Sequence, residues 1–242
     1  MARKTISRNI SYDDEKRLYY VNMDYGKNER GKRVKTAKTY KTRSAAVEAL
    51  RIFEADKVRQ RLVPPSPDTV RSFGLYWLDY EKADLRVTTR YAYSVTLNNH
   101  IIPYLGEKQL QKVKREDIYK YFAHLSKDKC LCSNTIRKHY DLLCAIFQSA
   151  EQSEKIYVSP MKGVRAPKSE PYENMVYNTG QIIDLLRAAE GAQIELAVQL
   201  AIYLGLRRGE ICGLRWENID LFGRTVRIVD NRTMAGAKVA SS

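Results

Sequence analysis

Two residues of opposite charge stand one helical turn apart near the end of this chain: Arg207 and Glu210, in Leu204-Gly205-Leu206-Arg207-Arg208-Gly209-Glu210-Ile211-Cys212-Gly213-Leu214-Arg215-Trp216. A carboxylate at that spacing can orient a guanidinium, whose planar fork suits the oxygens of a phosphate. Held rigidly, such a group stabilises negative charge developing on a phosphoryl centre. The competing reading is a solvated surface pair of small energetic consequence. The elements around the pair favour rigidity. An apolar run, Ala197 to Leu204, meets Gly205, which can adopt the left-handed conformation that ends a helix, and a short second helix starts just beyond. Arg207 is thereby expected at a corner between two buried helices.

Composition widens the search for a partner. The 242 residues are 44% hydrophobic, enough for real cores, and carry a net charge of +14. Lys and Arg outnumber Asp and Glu 17 to 8 over residues 1–63 but stand at 8 to 8 over residues 171–242. A basic front with a neutral back argues for a polyanion held by the N-terminal two-thirds, nucleic acid first among candidates. A membrane-spanning role is excluded by the lack of any apolar run near the roughly 18 residues required, and Met1-Ala2-Arg3-Lys4 leads into polar residues rather than a signal core. A cytoplasmic location is expected. Cysteines 130, 132, 144 and 212 lack the paired spacing of a zinc site, and Cys144 and Cys212 have apolar sequence neighbours, so reduced thiols and no metal are expected.

Residues 1–63 read as a small sheet followed by one helix. Leu18 to Tyr25 is rich in strand formers, Gly26 to Gly31 supplies turn chemistry, and Lys32 to Lys41 returns as a second strand. Alternation puts Tyr19, Val21, Met23 and Tyr25 with Val34 and Tyr40 on one face, and Tyr20, Asn22, Arg33, Lys35, Thr39 and Lys41 on the other. A helix capped by Thr42 or Ser44 presents Ala46, Ala49, Leu50 and Phe53 to cover the apolar face. The basic face stays open, a two- or three-stranded ribbon of the shape that enters a DNA major groove, with a solvated face as the plain alternative. The Tyr-rich strand, Gly-bounded turn, basic strand ending Tyr40-Lys41-Thr42 and Ala-rich helix resemble the arm-type DNA-binding domain of phage and conjugative-element integrases.

Val63-Pro64-Pro65-Ser66-Pro67 marks a boundary, since prolines this dense fit neither helix interior nor central strand. Over residues 64–158 the spacing predicts a four-helix bundle. Its helices run from the cap Asp68 with Val70, Phe73, Leu75, Tyr76, Trp77 and Tyr80; from Thr88-Thr89 to just before Pro103; from Arg115; and from the cap Ser133 through Phe147. Its aromatics are expected in the core. Thr88, Thr89 and Arg90, and Ser133, Thr135, Arg137 and Lys138, open two of these helices, where free amides and the positive dipole end face outward to phosphates. These two starts resemble the core-binding domain of tyrosine recombinases. Residues 159–178, with Pro160, Pro167 and Pro171 among Lys162, Arg165 and Lys168, read as a basic linker. Residues 179–242 begin with a helix capped by Thr179 and end in a strand near Arg224–Val229 and a turn at Met234–Lys238.

Within that last segment, Ala201 to Asp220 closely resembles the first conserved box of the tyrosine site-specific recombinases: Gly-Leu-Arg, then Gly-Glu-aliphatic, then Leu-Arg-Trp and Ile-Asp in register, with Leu204 where the family usually has Thr. The resemblance implies an α+β multidomain protein with an arm-binding sheet and helix, an all-α core-binding bundle and the N-terminal part of a mainly α catalytic domain. It makes Arg207 the first catalytic arginine on the scissile phosphate and Glu210 its acidic support. The implied chemistry is tyrosine attack on a DNA phosphodiester through a 3′-phosphotyrosyl intermediate, with no cofactor or metal, because bond energy is kept in the covalent link. The implied partner is double-stranded DNA at arm and core attachment sites, with self-association on DNA. Lys238 is not assigned as the family's general acid. None of His100, His124 and His139 has an arginine three residues on, so the second box is absent before Ser242, and no tyrosine is nominated as nucleophile. Two readings follow: the DNA-binding and opening catalytic portions of an integrase, inactive in strand cleavage as this chain alone, or a DNA-binding regulator that occupies attachment sites.

Overall fold

The Tyr-rich run at Leu18–Lys27 forms the longest strand, β3, and three further strands assemble on it. They are β1 (Lys4–Ser7), β2 (Ile10–Asp13) and β4 (Arg33–Tyr40), giving an antiparallel sheet in the order β1-β2-β3-β4. The computed structural model describes residues 3–27, 32–58, 62–171, 175–236 and 238–241, the last four by backbone alone; much of the turn expected at Gly26–Gly31 lies outside them. Two of the four strands were not expected. Each has only four residues, too few for alternation to stand out, and each is ordered by pairing: Ser11 lies opposite Tyr20, which lies opposite Thr39. Helix α1 (Arg43–Val58) starts where the Thr42 hydroxyl accepts the Ala45 N–H, at 3.3 Å. It buries Ala46 and Phe53 against Ile10, Val21 and Met23, so the expected apolar face is the covered one.

The second core belongs to a helical bundle. Helix α2 (Val70–Tyr76) runs on into a π-helical turn at Trp77–Glu81, α3 (Val87–Thr96) into another at Leu97–Ile101 and then α4 (Ile102–Leu105), followed by α5 (Arg115–Lys127) and α6 (Ser133–Gln152). Trp77, Tyr121, Phe147, Leu97, Ile101, Ile118 and Leu143 fill its centre. Pro103 was expected to end a helix, but the chain passes helically through it. The π turn just before hands the Ile102 N–H to Leu97 O, so the ladder is already re-spaced where proline removes a donor. The π turn at Trp77 likewise changes the phase: Trp77 and Leu78 are both buried, whereas Tyr76 and Tyr80, expected inside, stack on each other at the surface 5.1 Å apart. Caps also shift by one residue. Thr69 rather than Asp68 caps α2, Asp68 instead accepting from Ser66 and Lys155; Cys132 rather than Ser133 precedes α6. Met161 and Val164, read as linker, are buried in this bundle.

Residues 175–236 and 238–241 form helices α7 (Thr179–Ala189), capped by Asn178 rather than Thr179, α8 (Glu195–Leu204) and α9 (Arg208–Gly213), with short ribbons β5 (Ile219–Asp220) with β6 (Thr225–Val226), and β7 (Arg232–Ala235) with β8 (Lys238–Ser241). The strand expected over Arg224–Val229 is thus two residues long. Helix α8 was expected buried and has no buried residue: among the described residues it packs chiefly on α7 and α9, leaving Leu196, Tyr203 and Leu204 exposed. Cys212, on α9, is also exposed, and among the described residues no His, Cys, Asp and Glu cluster could hold a metal. No described helix is long and apolar enough to cross a membrane.

Candidate functional site

The corner at Arg207 is built as the spacing suggests, although not buried. Gly205 closes α8 at φ 65° and ψ 23°, a left-handed conformation that costs glycine least, and Arg207 is the extended residue before α9. Glu210 then reaches back one turn. One carboxylate oxygen accepts the Arg207 backbone N–H at 2.8 Å and the other accepts Arg207 Nη1 at 3.1 Å. The first of these bonds, then the guanidinium, holds the Glu210 carboxyl below the ordinary carboxylate range against the opposing effect of desolvation. The Arg207 side chain remains 83% exposed, so one Nη is tethered and the rest of the fork faces solvent. Helix α9 is pressed so closely on the chain ahead of β7 that a Cβ on Gly209 would overlap the Asn231 amide oxygen, and one on Gly213 the Asp230 carbonyl. That contact fixes the helix beginning at Arg207. The Lys238 side chain lies outside the described residues.

The sheet face opposite α1 collects most of the residues nominated for an open basic surface. Asn22 and Lys35 are exposed on it, Arg33 lies with its Nε 3.8 Å from Asp24, and Lys41 is exposed just past β4. Tyr20 departs from expectation. Its ring is 9% exposed because the Arg3 guanidinium lies over it, 3.7 Å from the ring centroid, and Arg3 Nε sits 3.8 Å from Asp13. Neither Arg3 nor Asp13 was foreseen, since their part depends on β1 and β2 pairing beside β3.

The two helix starts of the bundle differ. No side chain caps α3, whose first turn carries Thr88, Thr89 and Arg90; Arg90 is tied to Asp79 at 2.7 Å. At α6 the nominated residues divide. Ser133 donates to the Glu170 carboxylate at 2.8 Å and Arg137 Nη1 to Pro167 O at 3.3 Å, both engaged with the chain leaving the bundle rather than open to a ligand. Asn134 joins them, its amide donating to Glu170 O and accepting from Glu170 N–H and Ser169 Oγ, and Tyr140 donates to Val164 O. The Thr135 hydroxyl lies 3.2 Å from the Cys132 thiol, and Lys138 stays exposed. The stripe 133, 137, 140 is legible as one helix face, but only the course of residues 164–170 reveals what it holds.

An antiparallel sheet backed by one helix, a helical bundle and a carboxylate-oriented arginine at a helix corner make up an architecture similar to that of solved integrase structures. Residues 10–57 match the arm DNA-binding domain family and residues 69–126 the phage integrase N-terminal SAM-like domain family. The chain thus carries two domains of phage-integrase type and resembles the tyrosine recombinases. It is 22% identical over 215 residues to an integrase of Streptomyces ambofaciens, covering 88% of this chain and 55% of that protein, and 24% identical over 211 residues to the prophage integrase IntR of Escherichia coli, covering 79% and 49%. It therefore spans about half the length of these relatives. Its fold is similar to that of a lambda integrase dimer bound to a core site (TM-score 0.59, 16% identity, 91% of this chain and 63% of that one). A Tn1549 transposon integrase (residues 82–397) in complex with circular intermediate DNA is also similar (TM-score 0.59, 20% identity, 72% and 58%).

Proposed function

We propose that this chain is the DNA-recognising and opening catalytic portion of a site-specific integrase. It grips duplex DNA with the sheet face opposite α1 and with the starts of α3 and α6, and presents Arg207 to the scissile phosphate. On this reading residues 1–63 take arm sites, residues 64–158 take core sites, residues 159–178 link them to the catalytic part at 179–242, and the protein works in the cytoplasm on a bacterial or phage chromosome. The observation that carries the reading is Arg207 itself: Glu210 fixes its backbone and one Nη, and the remaining donors point to solvent. Such donors need little reorganisation when a phosphoryl centre gains charge, a contribution on the order of a few kcal/mol. The tyrosine nucleophile and second arginine of the recombinases this chain resembles are not assigned within these 242 residues, and self-association on DNA is expected by likeness to a lambda integrase tetramer bound to a Holliday junction.

Duplex DNA selected from a random library by the 242-residue chain tests this. Binding should weaken steeply with salt, and a nicked version of the selected site should trap no covalent protein–DNA adduct, because no His-x-x-Arg box is present. Absence of any preference for duplex DNA over a non-nucleic polyanion such as heparin overturns the DNA reading. A covalent adduct overturns the inventory of missing groups.

A further inference from the structure

We propose that Arg3 is a base-reading residue of the sheet, taking the major-groove edge of one guanine. The inference rests on the reading that this face lies on DNA and goes further by naming the residue and its base. Arg3 is held from two sides. The Tyr20 ring supports its guanidinium at 3.7 Å, and Asp13 lies 3.8 Å from Nε. Both supports are largely buried, Tyr20 at 9% exposure and the Asp13 side chain at 17%, while the Arg3 side chain is 50% exposed. The strand register explains the cluster: Lys4 pairs with Tyr12, which sets Arg3 beside Asp13, and Asp13 pairs with Leu18, two residues from Tyr20 on the same face.

Guanine offers two acceptors, N7 and O6, on its major-groove edge, and arginine satisfies both with two parallel N–H bonds. That pairing needs the guanidinium plane fixed and two Nη groups free. Stacking on Tyr20 restricts the plane, and because Nε is the atom nearest Asp13, the Nη groups are those left without a carboxylate. A phosphate contact needs only charge, which Lys35 and Lys41 supply toward the opposite edge of the sheet. The arrangement lowers the ordering cost that a long flexible side chain otherwise carries on binding.

The test compares base preferences of the 242-residue chain and its variants on a library of duplexes, alongside the salt dependence of binding. Arg3→Lys keeps the charge but not the fork: preference for G·C at one position should fall roughly tenfold to a hundredfold while the salt slope is unchanged. Tyr20→Leu should lose the same preference and Tyr20→Phe should keep it. If Arg3→Lys retains the wild-type preference at every position, Arg3 merely covers the Tyr20 ring and the proposal is overturned. Failure of the wild-type chain to bind duplex DNA overturns the DNA reading instead, a distinct result.

Discussion

His139 shows how a single buried group sets the conditions under which the bundle holds together. It is 2% exposed, paired with the Tyr121 hydroxyl at 2.8 Å and edge-on to the His100 ring at 5.0 Å. Burial, and then the neighbouring His100, push it down from 6.5 to about 4. Between those values the unfolded chain binds a proton that the folded chain refuses, so stability is full above pH 6.5 and is lost as pH falls toward 4, by about 3 kcal/mol in all. Urea unfolding followed across that window should show the loss, and His139→Leu should flatten it while lowering stability at pH 7 by leaving Tyr121 unpaired. A pH-independent midpoint in the wild type would show that His139 is not held neutral. At Arg207 the corresponding question is orientation. Glu210→Ala removes both tethers and should leave DNA affinity nearly unchanged, whereas the arginine loses its fixed geometry.

At the scale of elements, the segment 164–170 lies along the first two turns of α6, and Asn134 is its main fastener, with three hydrogen bonds to Ser169 and Glu170. Partly exposed bonds of this kind contribute about 0.5–1.5 kcal/mol each, with less than full additivity. Asn134→Ala should therefore speed tryptic cleavage after Arg165 and Lys168 by roughly tenfold, with little change in the melting of the bundle, which rests on apolar burial. Cleavage at the wild-type rate would show that the clasp is dispensable. The same clasp accounts for two sequence-nominated residues that turned out otherwise engaged, Ser133 and Arg137. Of the residues nominated on α6, Thr135 and Lys138 are not among those bonded to that segment.

At the scale of the whole molecule, the described residues form two cores of unequal size. The sheet and α1 bury a handful of apolar side chains, among them Val21, Met23 and Phe53, while the bundle encloses more than twenty. Stability follows buried area, so the sheet unit should unfold first. Trp77, 1% exposed in the bundle, and Trp216, 80% exposed, make this visible: the fluorescence change on unfolding comes mainly from Trp77. In urea, the loss of far-ultraviolet strand signal should precede the fluorescence transition, and deletion of residues 1–63 should leave the latter in place. Coincident transitions would show the two cores to be coupled.

Much of this protein is written locally. The strand Leu18–Lys27, the amphipathic helices, the break at Pro64–Pro67 and the Gly205 corner are set by residue type and period, forces that act over a few residues, and the twenty-residue box around Arg207 carries a resemblance to the tyrosine recombinases. The Arg207–Glu210 tether is likewise a matter of one helical turn. What tertiary structure decided was every feature made by distant segments meeting. Four-residue strands β1 and β2 exist because β3 offers an edge, and only their pairing brings Arg3 and Asp13 to Tyr20. The π turns change which tyrosines face inward, the exposure of α8 depends on what packs against it, and Ser133 and Arg137 were claimed by a segment some thirty residues on. Period and propensity locate an element and its faces; they do not say what arrives to cover a face, because that is settled by competition among surfaces far apart in the chain.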